Sequence, residues 1–243
     1  MIKLENTEVI GWEHAIRGMR NPLNSWEKSD SEFIRDPDYG CSGNCPCEDI
    51  DGYCDCCFIG TNDLDLMKRL RNAGTDHRKF MRMITVYVDI TAPLYWWKEF
   101  DTYKVGTVAN SCSTMHKIAE KEFTLDDFST EHVFRDNHMM VHSKDDFRFI
   151  NNIQFFMWII DFLNENRRLY IETKDKKYWW QMIQLLPTSY NQKRTVMLNY
   201  EVLANIYKSR RNHKLDEWKD LCKWIESLPY SELITGNHIE EKD

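Results

Sequence analysis

Three polar side chains lie where the C-terminal part of the sequence predicts the buried face of a helix. At about 100° per residue, the segment that begins "NYEVLANIYKSRRNHKLDEW" places three apolar residues on one helical line: Leu203, Ile206 and Leu221. Three polar residues fall within about 40° of that line: Asn199, Arg210 and Glu217. A buried charge needs a partner. Either Arg210 binds a phosphate or base carbonyl of a ligand, or it forms an internal ion pair with Glu217 or another acid.

A second group of residues that could carry chemistry is a cluster of six cysteines within seventeen residues: Cys41, Cys45, Cys47, Cys54, Cys56 and Cys57. Thiols stay reduced in the cytosol, which makes disulfides the weaker interpretation. Two short cysteine groups joined by a Gly-containing turn can surround a tetrahedral zinc ion. We therefore predict a structural zinc ion that folds this loop, with an iron–sulfur cluster and uncoordinated thiols as alternatives.

A third group is the stretch "TYKVGTVANSCSTMH" (102–116), which is rich in hydroxyl, amide and thiol side chains. Such a stretch could line a pocket with hydrogen-bond donors for a small polar ligand. It could equally join a strand to a helix, with its hydroxyls capping the helix. The sequence leaves both interpretations open.

The composition limits the class of protein. The chain has 243 residues, 42% of them hydrophobic and 29% charged, which is typical of a globular protein. Its formal charge of −7 argues against a general nucleic-acid-binding surface, although a local basic pocket remains compatible with it. Neither a secretory signal nor an apolar run of membrane-spanning length is evident, so we expect a cytoplasmic protein.

The periodicity of several segments predicts the elements that would position these residues. Residues 12–19 predict a short helix with Trp12, Ala15, Ile16 and Met19 on its buried face. "TNDLDLMKRLRNAG" predicts a helix with a Thr/Asn cap that ends at Gly74. "MRMITVYVDITAP" alternates as a half-buried strand does. Residues 145–173 and 175–186 predict two long helices, and residues 194–227 carry the stripe described above.

These elements predict a mainly helical α+β fold with at least one strand and a further strand around residues 103–117. Linkers of low complexity and internal repeats are lacking in the sequence. We therefore expect a single domain over residues 1–243, with the cysteine-rich segment 36–60 as an insertion.

The stretch "LLPTSYNQKRTVMLNYEVLANIYKSRRNHKLDEW" resembles the C-terminal half of the flavin-dependent thymidylate synthases. That family has a Leu-Pro turn, an Asn twelve residues later, a second Asn six residues on and an Arg five beyond. Pro187, Asn199, Asn205 and Arg210 have these spacings without a gap. The resemblance extends weakly from residue 62 to residue 228 and implies this family's fold.

The resemblance implies roles for particular residues. Asn199 and Asn205 would face an FAD cofactor, and Arg210 would polarise the pyrimidine of the nucleotide as the catalytic residue. In the stretch that matches the family's basic signature, Lys104 would contact the cofactor or a phosphate. Asn110 and Ser113 would contact the substrate.

The sequence also departs from the family's pattern. Non-basic residues replace several family arginines and a histidine at Met115, Glu201, Ile183 and Met81. The family's basic triplet aligns with Thr-Tyr-Lys (102–104) or with Tyr-Lys-Val (103–105), depending on where one gap is placed, and Lys104 is the only base left in it. Each lost phosphate contact removes a charge-assisted hydrogen bond of roughly 1.5–3 kcal/mol. The lost arginines therefore weaken the expectation that both anionic ligands bind as in the family.

The function that the resemblance implies is methylation of dUMP to dTMP, with a folate as methylene donor, NADPH as reductant and FAD as cofactor. It also implies a homo-oligomer, a tetramer in this family, because the family builds its sites between subunits. Two alternatives remain open: a non-catalytic relative that acts as a binding or structural protein, and an altered enzyme that acts on another nucleotide.

Overall fold

The computed structural model describes residues 2–33, 57–136, 138–143 and 146–236. Its strands are β1 (Lys3–Ile10), β2 (Glu32–Phe33), β3 (Cys57–Phe58), β4 (Thr85–Pro93), β5 (Val108–Ser111), β6 (His138–Ser143), β7 (Asp146–Asn151) and β8 (Asn191–Asn199). Its α-helices are α1 (Trp12–Arg20), α2 (Thr61–Asn72), α3 (Leu94–Phe100), α4 (Thr114–Lys117), α5 (Asn152–Thr173), α6 (Lys176–Leu185), α7 (Tyr200–Arg210), α8 (Asp216–Glu226) and α9 (Glu232–Thr235). Short 3₁₀ helices lie at Asn21–Leu23, Trp26–Lys28, Arg78–Arg82 and Leu125–Asp127.

The chain divides into two compact units. In the described residues, the first unit contains 91–99, 111–136, 138–143 and 146–193, and the second contains 2–33, 57–90, 100–110 and 194–236. The predicted mainly helical α+β fold with a small sheet is confirmed. The interpretation of residues 1–243 as one domain stays a prediction.

A four-stranded sheet in the order β1-β4-β8-β5 carries the predicted alternating strand. Ile84, Val86, Val88 and Ile90 are each at most 1% exposed, because every second side chain of β4 and of the residue before it faces the core. The predicted helix at residues 12–19 is also confirmed as α1, with Trp12, Ala15, Ile16 and Met19 all buried. The strand period of 2 in β4 and the helix period of 3.6 in α1 therefore predicted these buried residues correctly.

Gly11 immediately precedes α1, at a point where the backbone of another segment comes very close. Its φ is +94°, and a Cβ built on it would lie 2.2 Å from the backbone oxygen of Met83. Gly74 also has a positive φ, +107°, but a Cβ there would meet no atom of the described residues within 4 Å. A side chain at either glycine therefore costs free energy because of the left-handed backbone, but only a side chain at Gly11 also clashes with another segment.

We expect Gly11→Ala to lower the free energy of unfolding by about 1–3 kcal/mol more than Gly74→Ala does. Both variants place alanine in a left-handed conformation, but only Gly11→Ala must displace a backbone carbonyl. Urea unfolding followed by circular dichroism measures the difference. Equal losses in the two variants would contradict the proposed steric clash.

Helix α2 begins differently from the prediction. The predicted Thr/Asn cap is wrong, because the residue before the helix is Gly60 and it provides no side-chain cap. Instead, the carboxylate of Asp30 accepts hydrogen bonds from the backbone N–H groups of Asn62 and Asp63, at 2.9 and 3.0 Å. A residue distant in sequence therefore caps this helix, which local pattern alone does not reveal.

A buried ion pair joins the start of α2 to the end of α1. The side chain of Asp63 is fully buried and accepts a hydrogen bond of 2.6 Å from Nε of Arg20. It also accepts hydrogen bonds from the hydroxyls of Ser29 and Ser31, both at 2.7 Å, and from the backbone N–H of Asp30. The carboxylate thus holds residues 29–31 against both helices.

The C-terminal stripe is divided among three elements rather than lying on one helix. Residues 194–199 belong to β8, and the Asn199 side chain then caps α7 by accepting a hydrogen bond from the N–H of Val202. Helix α8 begins only at Asp216. The apolar prediction is confirmed, because Leu203, Ile206 and Leu221 are all buried. Arg210 and Glu217, however, lie on different helices.

In the first unit, α5 packs against α6 after the antiparallel hairpin of β6 and β7. The predicted helix over 145–173 starts later than expected, at Asn152, because Asn151 and Gln154 form a reciprocal capping box. A core of this unit contains six buried apolar residues from residues 118–128, α5 and α6: Ile118, Phe123, Phe128, Ile160, Leu163 and Met182.

Five of the predicted zinc ligands, Cys41, Cys45, Cys47, Cys54 and Cys56, lie outside the described residues. The sixth, Cys57, is in β3. Within the described ranges, no group of three or more His, Cys, Asp or Glu side chains could hold a metal ion, so zinc has no support there. The described helices also include none long and apolar enough to cross a membrane.

Candidate functional site

The three residues that the resemblance assigned to cofactor and pyrimidine lie on helix α7 or cap it. Asn199 caps its N-terminus with the side-chain oxygen, at 3.1 Å from the backbone nitrogen of Val202. Asn205 is exposed in the middle of the helix, and Arg210 is its last residue. The structure therefore gives Asn199 a helix-capping role, while its amide nitrogen remains a hydrogen-bond donor group.

Arg210 lies among aromatic side chains of the second unit. Its Nε donates a hydrogen bond of 2.9 Å to the hydroxyl of Tyr103. Its guanidinium carbon lies 4.5 Å from the ring centroid of Trp218 and 5.7 Å from that of Tyr103. These distances are in the range of cation–π interactions, so two aromatic rings and one hydroxyl fix the plane of the guanidinium.

A cluster of opposite charges lies on another face of α7. Glu201, only 8% exposed, accepts hydrogen bonds from both Arg78 and Arg82 of the 3₁₀ helix at Arg78–Arg82. Nη2 of Arg78 also lies 3.5 Å from the side-chain oxygen of Asn205. This contact brings a guanidinium next to the predicted flavin-binding amide.

The charges in this cluster stabilise one another. Burial alone would raise the pKa of Glu201, but the hydrogen bond and charge of Arg82, together with Arg78, lower it below the ordinary value. Because Glu201 stays ionised at neutral pH, it balances one of the two arginines. Lys208 lies three residues beyond Asn205 and adds a further exposed cation to this face. The face formed by Arg78, Arg82, Glu201, Asn205 and Lys208 thus carries a formal net charge of +2.

Segment 103–106 contacts α7 near both of its ends. The hydroxyl of Tyr103 binds Arg210, while a Cβ built on Gly106 would lie 3.0 Å from the amide nitrogen of Asn199. Between them Lys104 is exposed. The side-chain oxygen of Thr107 is buried and has no hydrogen-bond partner among the described residues. Residues 103–106 of the stretch that aligns with the family's basic signature therefore pack on α7.

Ser113 lies in the other unit, at a joint between a strand and a helix. Strand β5 ends at Ser111, and the hydroxyl of Ser113 caps α4 by accepting a hydrogen bond from the N–H of His116, at 3.2 Å. The capping alternative for this stretch is therefore correct for Ser113. Asn110 is exposed in β5, within the second unit.

A cavity of about 650 Å³ lies beside this joint, within the first unit. Its polar lining includes Cys112, Ser113, Thr114, Tyr190 and Asn191. Its charged lining consists of Lys117, Lys121, Lys193, Glu120, Asp126 and Asp127. Ion pairs join Lys117 to Glu120 and Lys121 to Asp127. Since three cations face three anions, the cavity is polar but does not have the net positive charge that favours a phosphate.

Sequence reasoning missed four residues that surround the predicted ones: Arg78, Arg82, Tyr103 and Trp218. The arginines lie about 120 residues before Glu201 and pair with it only through the fold. A weak signal existed, because Glu201 is a carboxylate on a half-buried face and such a group needs a cation. Nothing in the spacing of Tyr103 pointed to Arg210.

Comparison with known proteins identifies the fold. No protein-family model matches the sequence, and no curated protein matches it. The chain is similar to a structure of thymidylate synthase X from Helicobacter pylori with FAD and dUMP. The two are 16% identical, the match covers 97% of this chain and 98% of that one, and the TM-score is 0.62.

Two further structures give the same result. A second structure of the flavin-dependent enzyme from Helicobacter pylori, complexed with FAD and dUMP, is 17% identical over 96% of this chain and 98% of that chain, with a TM-score of 0.60. The UMP/dUMP methylase PolB from Streptomyces cacaoi, bound with 5-bromo-dUMP, is 12% identical over 97% and 95%, with a TM-score of 0.58. At these identities the likeness concerns the course of the backbone, and the chain has the fold of the flavin-dependent thymidylate synthases.

Proposed function

We propose that this chain is an enzyme that binds a flavin and a uridine nucleotide and methylates the nucleotide, with dUMP as substrate, a folate as methylene donor and NADPH as reductant. The observation that carries the proposal is the contact between Arg78 and Asn205 on α7. It supplies a cation beside the flavin-binding asparagine, near the position where Glu201 has replaced the family's arginine. The anion site would thus be rebuilt from another element.

The hydrogen-bond donors of the face formed by α7 and the neighbouring 3₁₀ helix fit a flavin adenine dinucleotide. Its pyrophosphate carries two negative charges, and the face of Arg78, Arg82, Glu201, Asn205 and Lys208 has a formal net charge of +2. Guanidinium groups bind phosphate oxygens through paired hydrogen bonds. We propose that Arg78 and Lys208 bind the pyrophosphate and that Asn205 and the amide nitrogen of Asn199 contact the flavin. The bound flavin would supply the hydride that reduces the transferred methylene group.

Arg210 would bind the pyrimidine. A guanidinium donates hydrogen bonds to a carbonyl oxygen and stabilises negative charge that develops on it. Its position over Trp218 and beside Tyr103 restricts its orientation before any ligand arrives, which lowers the entropic cost of binding. Lys104 and Asn110 are exposed and remain candidates for contact with the cofactor and substrate. Ser113 keeps its proposed substrate contact as a prediction.

The proposal predicts that purified protein mixed with FAD keeps flavin absorption bands after desalting, and that Arg78→Gln weakens FAD binding by roughly 10–100-fold. The matched control is Arg69→Gln, at an exposed arginine on α2 that is not one of the five residues of the α7 face. Equilibrium titration of flavin fluorescence measures the dissociation constants. Equal FAD affinity in Arg78→Gln and the wild type would contradict the proposal that Arg78 binds the cofactor.

Growth of a thymidine-requiring strain tests the complete reaction. Rescue by the wild-type chain, but not by Arg210→Ala, would support synthesis of dTMP from dUMP. A soluble chain that binds FAD and dUMP yet fails to rescue would favour an altered enzyme that acts on another nucleotide.

The second candidate function is a non-catalytic relative of the fold. The observation that favours it is the balance of charges in the cavity beside Ser113, where three lysines face three acids and the Ser113 hydroxyl caps a helix. Failure of the wild-type chain to bind either FAD or dUMP would support this candidate. The cytoplasmic location and the homo-oligomer, a tetramer by family resemblance, stay predictions.

A further inference from the structure

The guanidinium of Arg210 contacts two aromatic side chains of the second unit, those of Tyr103 and Trp218. Tyr103 accepts the hydrogen bond from Nε at 2.9 Å, and the ring of Trp218 lies 4.5 Å below the guanidinium carbon. Trp218 itself is fully buried and is stacked on Phe100, with ring centroids 6.4 Å apart and planes 21° apart. The aromatic support of Arg210 is therefore part of the core.

Tyr103 is held in place from several sides. Its backbone N–H donates to the carbonyl of Phe100 at 2.9 Å, which closes a turn after α3. Its ring packs on its edge against Trp218, with centroids 6.0 Å apart. Three residues later, Gly106 packs against Asn199. A side chain fixed at backbone and ring presents its hydroxyl in one direction, which is the requirement for orienting another group.

We propose that Tyr103 is a positioning residue for Arg210: its hydroxyl fixes Nε while Trp218 fixes the plane, so the guanidinium is held in one orientation for the pyrimidine. This inference rests on the proposed function, since it takes the pyrimidine as the ligand of Arg210. In the alignment with the family's basic triplet, Tyr103 falls within that triplet. Tyr103 would thus act on the nucleotide through Arg210 instead of binding it directly.

Substitution of Tyr103 by phenylalanine tests the inference, because it removes one hydroxyl and keeps the ring that packs on Trp218. We expect Tyr103→Phe to weaken dUMP binding by roughly ten-fold, as measured by isothermal titration calorimetry, with little change in melting temperature. The matched control is Tyr207→Phe. That hydroxyl also bonds a charged group, because it donates a hydrogen bond of 2.6 Å to Glu226 on α8.

A double-mutant cycle separates positioning from general loosening of the fold. If Tyr103 acts through Arg210, then Tyr103→Phe has no further effect on dUMP affinity in an Arg210→Ala background. The affinity for deoxyribose 5-phosphate, which lacks the base, should also be the same in Tyr103→Phe and the wild type. Additive losses, or an equal loss for the sugar phosphate, would overturn the inference while leaving dUMP binding itself established.

A ligand-free measurement distinguishes failure of the inference from failure of the proposed function. In ¹⁵N-labelled protein, the Nε–H of Arg210 should exchange with solvent faster in Tyr103→Phe than in the wild type or in Tyr207→Phe. Unchanged exchange would show that Tyr103 does not hold the guanidinium. If exchange responds but the wild type binds no dUMP, the proposed function is wrong and the nucleotide-positioning role of Tyr103 is overturned with it.

Discussion

Replacement of Asp63 by alanine is expected to lower the free energy of unfolding by about 3–5 kcal/mol, because it leaves the buried Arg20 without its counter-ion. The side chain of Arg20 is 5% exposed and that of Asp63 is 0% exposed, so water cannot replace the lost partner. The hydroxyls of Ser29 and Ser31 would lose their acceptor as well. Guanidinium chloride unfolding, followed by tryptophan fluorescence, measures the loss.

The control for this variant is Asp65→Ala, two residues further along the same helix. Asp65 is exposed, so its substitution should change stability by no more than about 0.5 kcal/mol. Similar losses in the two variants would mean that the cost arises from the loss of a negative charge in the N-terminal part of α2 rather than from the buried pair.

The same network predicts how stability depends on pH. Burial alone would raise the pKa of Asp63, but hydrogen bonds from Ser29, Ser31 and Arg20, with the charge of Arg20, lower it below its ordinary value of 3.8. A carboxyl whose pKa is lowered by folding contributes stability above its unfolded pKa and loses it as the pH falls through the folded value. Wild-type stability should therefore fall below about pH 3.8 by a component that Asp63→Asn lacks. If the free energy of unfolding fell equally with decreasing pH in the wild type and in Asp63→Asn, the assignment of this component to Asp63 would be contradicted.

Substitution of Arg210 by alanine is expected to weaken dUMP binding by roughly 10–100-fold, since the charged hydrogen bonds to the pyrimidine are lost. The accompanying loss of stability includes the cation–π interaction with Trp218, which is worth about 0.5–2 kcal/mol. Calorimetric titration with dUMP and thermal unfolding of the same samples measure both quantities. A large fall in melting temperature with unchanged affinity would instead identify Arg210 as a structural residue.

Two further variants sharpen this test. Arg211→Ala removes a neighbouring exposed arginine and should leave dUMP affinity unchanged, which controls for the general loss of positive charge. Arg210→Lys keeps the charge but not the planar fork of donors. If this variant binds dUMP as weakly as Arg210→Ala does, the geometry of the guanidinium is the decisive property.

The sequence by itself determined the elements whose patterns are local. The alternation of β4 and the i, i+3, i+4, i+7 pattern of α1 placed their buried faces correctly, because a side chain's direction in a regular element follows from its position alone. The spacing of Pro187, Asn199, Asn205 and Arg210 indicated the fold without a matching family model. The buried positions of Leu203, Ile206 and Leu221 were also predictable, although they lie on two helices instead of one.

Only the tertiary structure decided which partners the polar residues have. Glu201 replaces an arginine of the family's pattern, and Arg78 and Arg82 bind it from a segment about 120 residues earlier in the chain. The sequence did not show that Tyr103 and Trp218 would contact Arg210, and the structure places both beside its guanidinium. The caps of α2 and α7 show the same contrast, since Asp30 is distant in sequence while Asn199 is adjacent. The physical reason is that periodicity fixes the direction of a side chain within its own element, whereas a hydrogen bond or ion pair depends on which other element packs there.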